Sequence, residues 1–76
     1  MNGARNIGQL EVGESAALGG MSLPEAEAAR LREMGLLPGA AVRLVRRAPL
    51  GCPIEFEVGG ARLALRARDA AQIFVQ

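Results

Sequence analysis

The feature that most constrains this chain is a pair of adjacent glycines set between two apolar-rich runs. Ile54, Phe56 and Val58 alternate with Glu55 and Glu57, and beyond Gly59-Gly60 the segment Ala61-Arg62-Leu63-Ala64-Leu65 follows. Successive side chains of a strand point to opposite faces, so the first run reads as a strand with one buried face. Adjacent glycines suit a two-residue hairpin turn. Closing the turn there sets Val58 against Ala61, Glu57 against Arg62, Phe56 against Leu63 and Ile54 against Leu65. Each apolar residue then meets an apolar one inside, and Glu57 meets Arg62 outside. A slip of one residue would destroy both matches, so the register is well specified.

Around this ribbon the chain is cut into short pieces. Met1 to Asn6 reads as a loose terminus, Val12-Gly13-Glu14 as a turn, and Ser15 to Leu18 as a short strand broken by Gly19-Gly20. A helix is expected over about Leu23 to Met34. Ser22 and Glu25 have the spacing of a capping box, and Pro24 falls in the first turn. Gly35 supplies the left-handed residue at the helix end, and Leu36 falls where a Schellman motif places its apolar contact with Leu31. Pro38-Gly39 suits the centre of a type II turn, and Val42 and Leu44 mark a strand ended by Arg46 and Arg47. Ala48 to Pro53 holds two prolines and is a loop. Arg68 to Ala71 has room for one helical turn, and Ile73-Phe74-Val75 is a last strand. The order predicts a mainly β fold: a small SH3-like antiparallel barrel with one α-helix inserted between the first and second strands, forming a single domain over 1–76.

Composition narrows the function classes. The chain has 76 residues, half of them apolar, and Phe56 and Phe74 are its only aromatics, so the core must be aliphatic. It has no histidine and one cysteine, Cys52. A single thiol forms no internal disulfide, has no imidazole to activate it, and cannot build a soft-ligand metal site within one chain. Glu25 and Glu27 diverge on the expected helix, whereas Glu55 and Glu57 share a strand face opposite Arg62. The glycine-rich pieces lack the spacing of a phosphate loop. No enzyme activity, cofactor or metal is therefore expected. No apolar run approaches the ~20 residues of a membrane helix, and no hydrophobic stretch follows Met1-Asn2-Gly3-Ala4-Arg5. A cytoplasmic location is expected.

Nine arginines and no lysines balance eight acids for a net charge of +1. Arg43, Arg46, Arg47, Arg62, Arg66 and Arg68 all follow residue 40, so a nucleic-acid-binding barrel is the alternative class. It is disfavoured because base stacking needs exposed aromatics and both phenylalanines sit in strands. The apolar loop residues point instead to a protein partner. Met34, Leu36, Leu37, Pro49 and Leu50 are expected to form an apolar patch rimmed by Arg46 and Arg47. The simpler assignment has Leu36 closing the helix cap and Leu50 folding over the barrel's end. Exposed leucines and edge strands also leave a homodimer open.

Two longer stretches carry a family resemblance: Arg30-Leu31-Arg32-Glu33-Met34-Gly35-Leu36-Leu37-Pro38-Gly39, and Arg46-Arg47-Ala48-Pro49-Leu50-Gly51-Cys52-Pro53-Ile54. Together with Arg62-Leu63-Ala64-Leu65-Arg66 and Ala70-Ala71-Gln72-Ile73 they resemble the FeoA family from about Ile7 to Val75. The resemblance implies an SH3-like barrel that acts in bacterial ferrous-iron uptake alongside FeoB, a membrane transporter with a cytoplasmic GTP-binding domain. A related domain ends some metal-dependent repressors, which makes a metal-responsive regulator a further alternative. Cys52 departs from the family pattern, in which many members carry an acidic or polar residue.

Overall fold

A computed structural model describes residues 5–76. Five strands run Ser15–Met21 (β1), Ala41–Arg47 (β2), Ile54–Val58 (β3), Ala61–Leu65 (β4) and Ile73–Val75 (β5). Helix Glu25–Glu33 (α1) lies between β1 and β2, and the short helix Ala67–Ala70 (α2) lies between β4 and β5. The sheet order is β4-β3-β2-β1-β5 with every pairing antiparallel. The expected mainly β, SH3-like architecture with its inserted helix is what forms.

The hairpin closes in the register set by its sequence. Val58 pairs Ala61, Glu57 pairs Arg62, Phe56 pairs Leu63 and Ile54 pairs Leu65. Gly59 and Gly60 both have positive φ, 59° and 83°, as a type I′ turn requires. On the other side of β3, Val42 pairs Val58 and Leu44 pairs Phe56. The apolar face of this three-stranded ribbon is completed by Ile7, Leu10, Leu18, Leu36 and Ile73, all buried. One ion pair differs from expectation: Glu57 accepts hydrogen bonds from Arg43 on β2. Arg62 instead lies 4.0 Å from Glu55.

Three local expectations are corrected. First, β1 does not stop at Gly19-Gly20 but runs through both to Met21. A Cβ on Gly19 would come within 3.2 Å of the Val75 carbonyl oxygen, so glycine there admits β5 against β1. Second, α1 starts at Glu25, and no side chain caps it. Leu23 precedes a proline and is therefore disfavoured from helical backbone, while the Ser22 amide donates to the Gln72 carbonyl at 2.8 Å. Pro24 becomes the N-cap, its carbonyl accepting from the Ala28 amide at 2.9 Å. The helix then buries Ala28 and Leu31, and leaves Ala26 and Met34 exposed. Third, of the terminus read as loose, 1–4 lie outside the described residues, while Arg5 and Asn6 join the fold. Asn6 bridges Phe74, and the Arg5 guanidinium donates to both carboxylate oxygens of Glu14 at 3.1 Å.

The C-terminal end of α1 matches its sequence signature. The Leu36 amide donates to the Leu31 carbonyl at 3.1 Å and the Gly35 amide to the Arg32 carbonyl at 3.0 Å, with Gly35 at φ 109°. These are the two hydrogen bonds of a Schellman motif, and Leu36 and Leu31 share the core. Among the described residues, no helix is long and apolar enough to cross a membrane.

Candidate functional site

The loop Ala48–Pro53 presents an apolar side chain to solvent on a rigid frame. The Gly51 amide donates to the Ala48 carbonyl at 2.8 Å, closing a four-residue turn with Pro49 second and Leu50 third. Leu50 has φ 70° and ψ 8°, the geometry of the third residue of a type II turn, where glycine is usual. It is the only non-glycine residue with positive φ among the described residues. A left-handed leucine costs about 1–2 kcal/mol. Its side chain makes no compensating inward contact, being completely exposed at 105% of its reference area. The loop is braced on both sides of this turn. The Ala48 amide donates to the Pro53 carbonyl at 3.0 Å, and Cys52 Sγ accepts from the Ala67 amide at 3.3 Å. Leu50 therefore does not fold over the barrel's end, and little backbone entropy would be lost on fixing it against a partner.

The other residues expected in one apolar patch separate into groups. Leu36 is 0% exposed and belongs to the core, because the Schellman turn drives it inward. It cannot touch a partner. Leu37 and Met34 are about half exposed, at 50% and 47%. They precede β2, whereas Pro49 and Leu50 follow it. Gly35 approaches Val58 at the hairpin end of β3, and the Leu50 loop leads into the opposite end of β3, at Ile54. A five-residue strand spans about 17 Å, so the expected single patch is two. Pro49 and Leu50 lie three and four residues beyond Arg46 in the chain.

Arg47 also leaves the rim. A bulge between Leu44 and Arg46 shifts the register so that Arg47 pairs Ile54, which faces the core. The guanidinium accordingly turns toward the 3-10 turn Ile7–Gln9 and donates to the carbonyls of Gly8 and Leu10 at 2.8 and 2.9 Å. Arg46 remains on the outer face, 3.6 Å from Glu55. Val12 is a further exposed apolar residue, at 64%, and no strand or helix pattern marks it. Its signal was an apolar residue before the turn glycine Gly13, outside any strand alternation.

Most of the arginine excess is committed within the molecule. Arg5, Arg32, Arg43, Arg46, Arg62 and Arg68 each lie within ion-pair distance of a carboxylate, and Arg47 is held by carbonyls. The hydrogen bond from Arg43, and then its charge, holds the Glu57 carboxyl below its ordinary value. Arg5 does the same to Glu14, helped by the Glu11 amide. Phe56 is fully buried and Phe74 half-buried, so neither offers an open face for a base to stack on. Cys52 is exposed, and among the described residues no three metal-ligating side chains converge.

Comparison with known proteins gives the chain its relatives. Over 92% of its length the chain is similar to a FeoA protein from Chlorobium tepidum, with 30% identity, a TM-score of 0.85 and 69% of that chain covered. It is similar over 93% of its length to Stenotrophomonas maltophilia FeoA complexed with zinc, with 33% identity, a TM-score of 0.80 and 88% of that chain covered. That protein is described as a prokaryotic SH3 domain protein and a candidate ferrous-iron transport activating factor. Iron(II) transport protein A from Clostridium thermocellum is similar over 92% of this chain and 44% of its own, with 29% identity and a TM-score of 0.82. The model of the FeoA domain matches residues 5–76, and the chain therefore belongs to the FeoA family.

Proposed function

We propose that this protein is a non-catalytic accessory factor of bacterial ferrous-iron uptake that binds the cytoplasmic part of a FeoB-type transporter. The observation that carries this reading is Leu50, held at positive φ with its whole side chain in solvent. A fold gains nothing from a strained backbone and an unburied leucine. A partner that covers Leu50 recovers the apolar burial, and a turn already held in one conformation lowers the ordering cost of binding. Pro49 stiffens the turn, and Arg46 supplies a fork suited to a carboxylate at the rim. Membership of the FeoA family supports the pathway, as does the description of the S. maltophilia relative. On this reading the protein acts in the cytoplasm, where the GTP-binding domain of such a transporter lies.

The test is calorimetric titration of the purified cytoplasmic domain of the transporter with wild-type protein and with Leu50→Asp. Wild type is expected to bind, and the variant to bind about tenfold or more weakly while unfolding at the same urea concentration. Equal binding by both proteins would remove the Leu50 loop from the interface. Failure of wild type to bind would remove this partner.

A further inference from the structure

β4 ends the sheet, with no strand on its outer side. Among the described residues, no backbone or side-chain hydrogen bond outside the ladder reaches Arg62–Leu65. A groove of about 420 Å³ runs beside it, walled on the far side by α1. Leu63, Ala64 and Leu65 all line this groove. Consecutive strand residues point to opposite faces, so three in a row can line one groove only when the strand's edge faces it. The groove therefore exposes backbone donors and acceptors at strand spacing. The facing wall is apolar where Leu31 and the half-exposed Met34 contribute.

Its charges have a sign. Arg30 and Arg66 both line the groove, and apart from Arg47, which is held by carbonyls, they are the arginines for which no ion pair forms among the described residues. Arg68 also lines it, 3.8 Å from Asp69. Against these stand Glu27 and Asp69, and Asp69 is already matched by Arg68. Two free guanidiniums against one free carboxylate leave the rim basic.

We propose that this groove docks an extended acidic peptide segment, which adds a strand to the free edge of β4. Main-chain hydrogen bonds to β4 would hold the segment. Alternate side chains would enter the apolar side of the groove, and carboxylates on the opposite set would meet Arg30 and Arg66 as charge-assisted pairs. The Ala48–Pro53 loop does not line the groove, so this proposal and the Leu50 interface stand or fall separately.

The test is titration of the isotope-labelled full chain with a capped seven-residue peptide alternating valine and glutamate, followed by amide chemical shifts. The largest shifts are expected on Leu63–Leu65 and along α1. Binding should weaken about tenfold in the double variant R30E/R66E and fall with added salt. A peptide with lysine in place of glutamate should not bind. Arg66→Glu alone, which leaves α1 untouched, should give an intermediate loss. No binding by wild type, shifts centred elsewhere, or equal binding by the charge-reversed variants would overturn the proposal. So would concentration-dependent shifts at the same amides without peptide, because they would assign the groove to a second copy of the chain.

Discussion

The two connections that flank β3 meet the same backbone demand in opposite ways. At one end Gly59 and Gly60 take positive φ, and Val58 beside them is buried in the core. At the other end Leu50 takes positive φ, and its side chain faces water. Glycine is the residue that adopts this conformation without strain, and leucine is among those that resist it. The hairpin connection serves the fold, because glycine meets the positive φ of its turn without strain. The Ala48–Pro53 loop includes one residue that the fold would be better without, which is what a surface kept for a partner looks like.

The widest separation between the two regions is expected from side-chain truncation. Phe56→Ala removes the largest fully buried side chain and should destabilise the protein by about 3–5 kcal/mol, read from the urea midpoint. That is a large share of what a domain this small can have. Leu50→Ala should stay within about 0.5 kcal/mol of wild type, because it removes no buried contact. A loss at Leu50 comparable with that at Phe56 would show that the loop is part of the core after all.

A smaller effect, of opposite sign in the two regions, follows from the backbone. Nothing lies within 4 Å of a Cβ built on Gly60, so Gly60→Ala tests conformation without a clash. It should cost about 1–2 kcal/mol from positive φ alone. Leu50→Asn places a residue that tolerates the left-handed region in the type II turn, and should stabilise the protein by about 0.5–1 kcal/mol. If both substitutions destabilise, the strain assigned to Leu50 is absent.

What the sequence made legible follows from how far each cause reaches along the chain. The hairpin register and the Schellman end of α1 depend on residues within a few positions of one another, and both formed as their patterns require. The start of α1 was local too, but two signals conflicted. The backbone restriction on Leu23, imposed by Pro24, overrode the Ser22–Glu25 capping pattern. Continuation of β1 through Gly19-Gly20 depends on β5, more than 50 residues away, and no local pattern carries it. The candidate surface was legible as residue types but not as an arrangement. Leu37 and Leu50 are joined by a whole strand, whose length alone separates them. The bulge that directs Arg47 to the carbonyls of Gly8 and Leu10 leaves no mark in the composition of β2.

The smallest expected effect separates the two regions by acid. The Ala48–Pro53 loop contains no carboxylate, whereas the β2–β3 ribbon carries Glu57 hydrogen-bonded to Arg43. Arg43 holds the Glu57 carboxyl below the ordinary value of 4.5, first through that hydrogen bond and then through its charge. In the window below 4.5 the unfolded chain therefore takes up the proton before the folded one does. The pair's contribution is fully present above the unfolded value and is lost as pH falls through the folded one. Arg5 and Glu14 add a second contribution of the same sign. Both pairs are open to solvent, so screening keeps each effect small. Urea midpoints measured from about pH 6 down to pH 3 should fall for wild type, and fall less steeply for Arg43→Met. An unchanged slope in that variant would transfer the acid sensitivity to Glu14. Leu50→Asn should leave the slope as it is in wild type, because it moves no titrating group, and a change there would mean that the loop and the ribbon are coupled through the bulge at the end of β2.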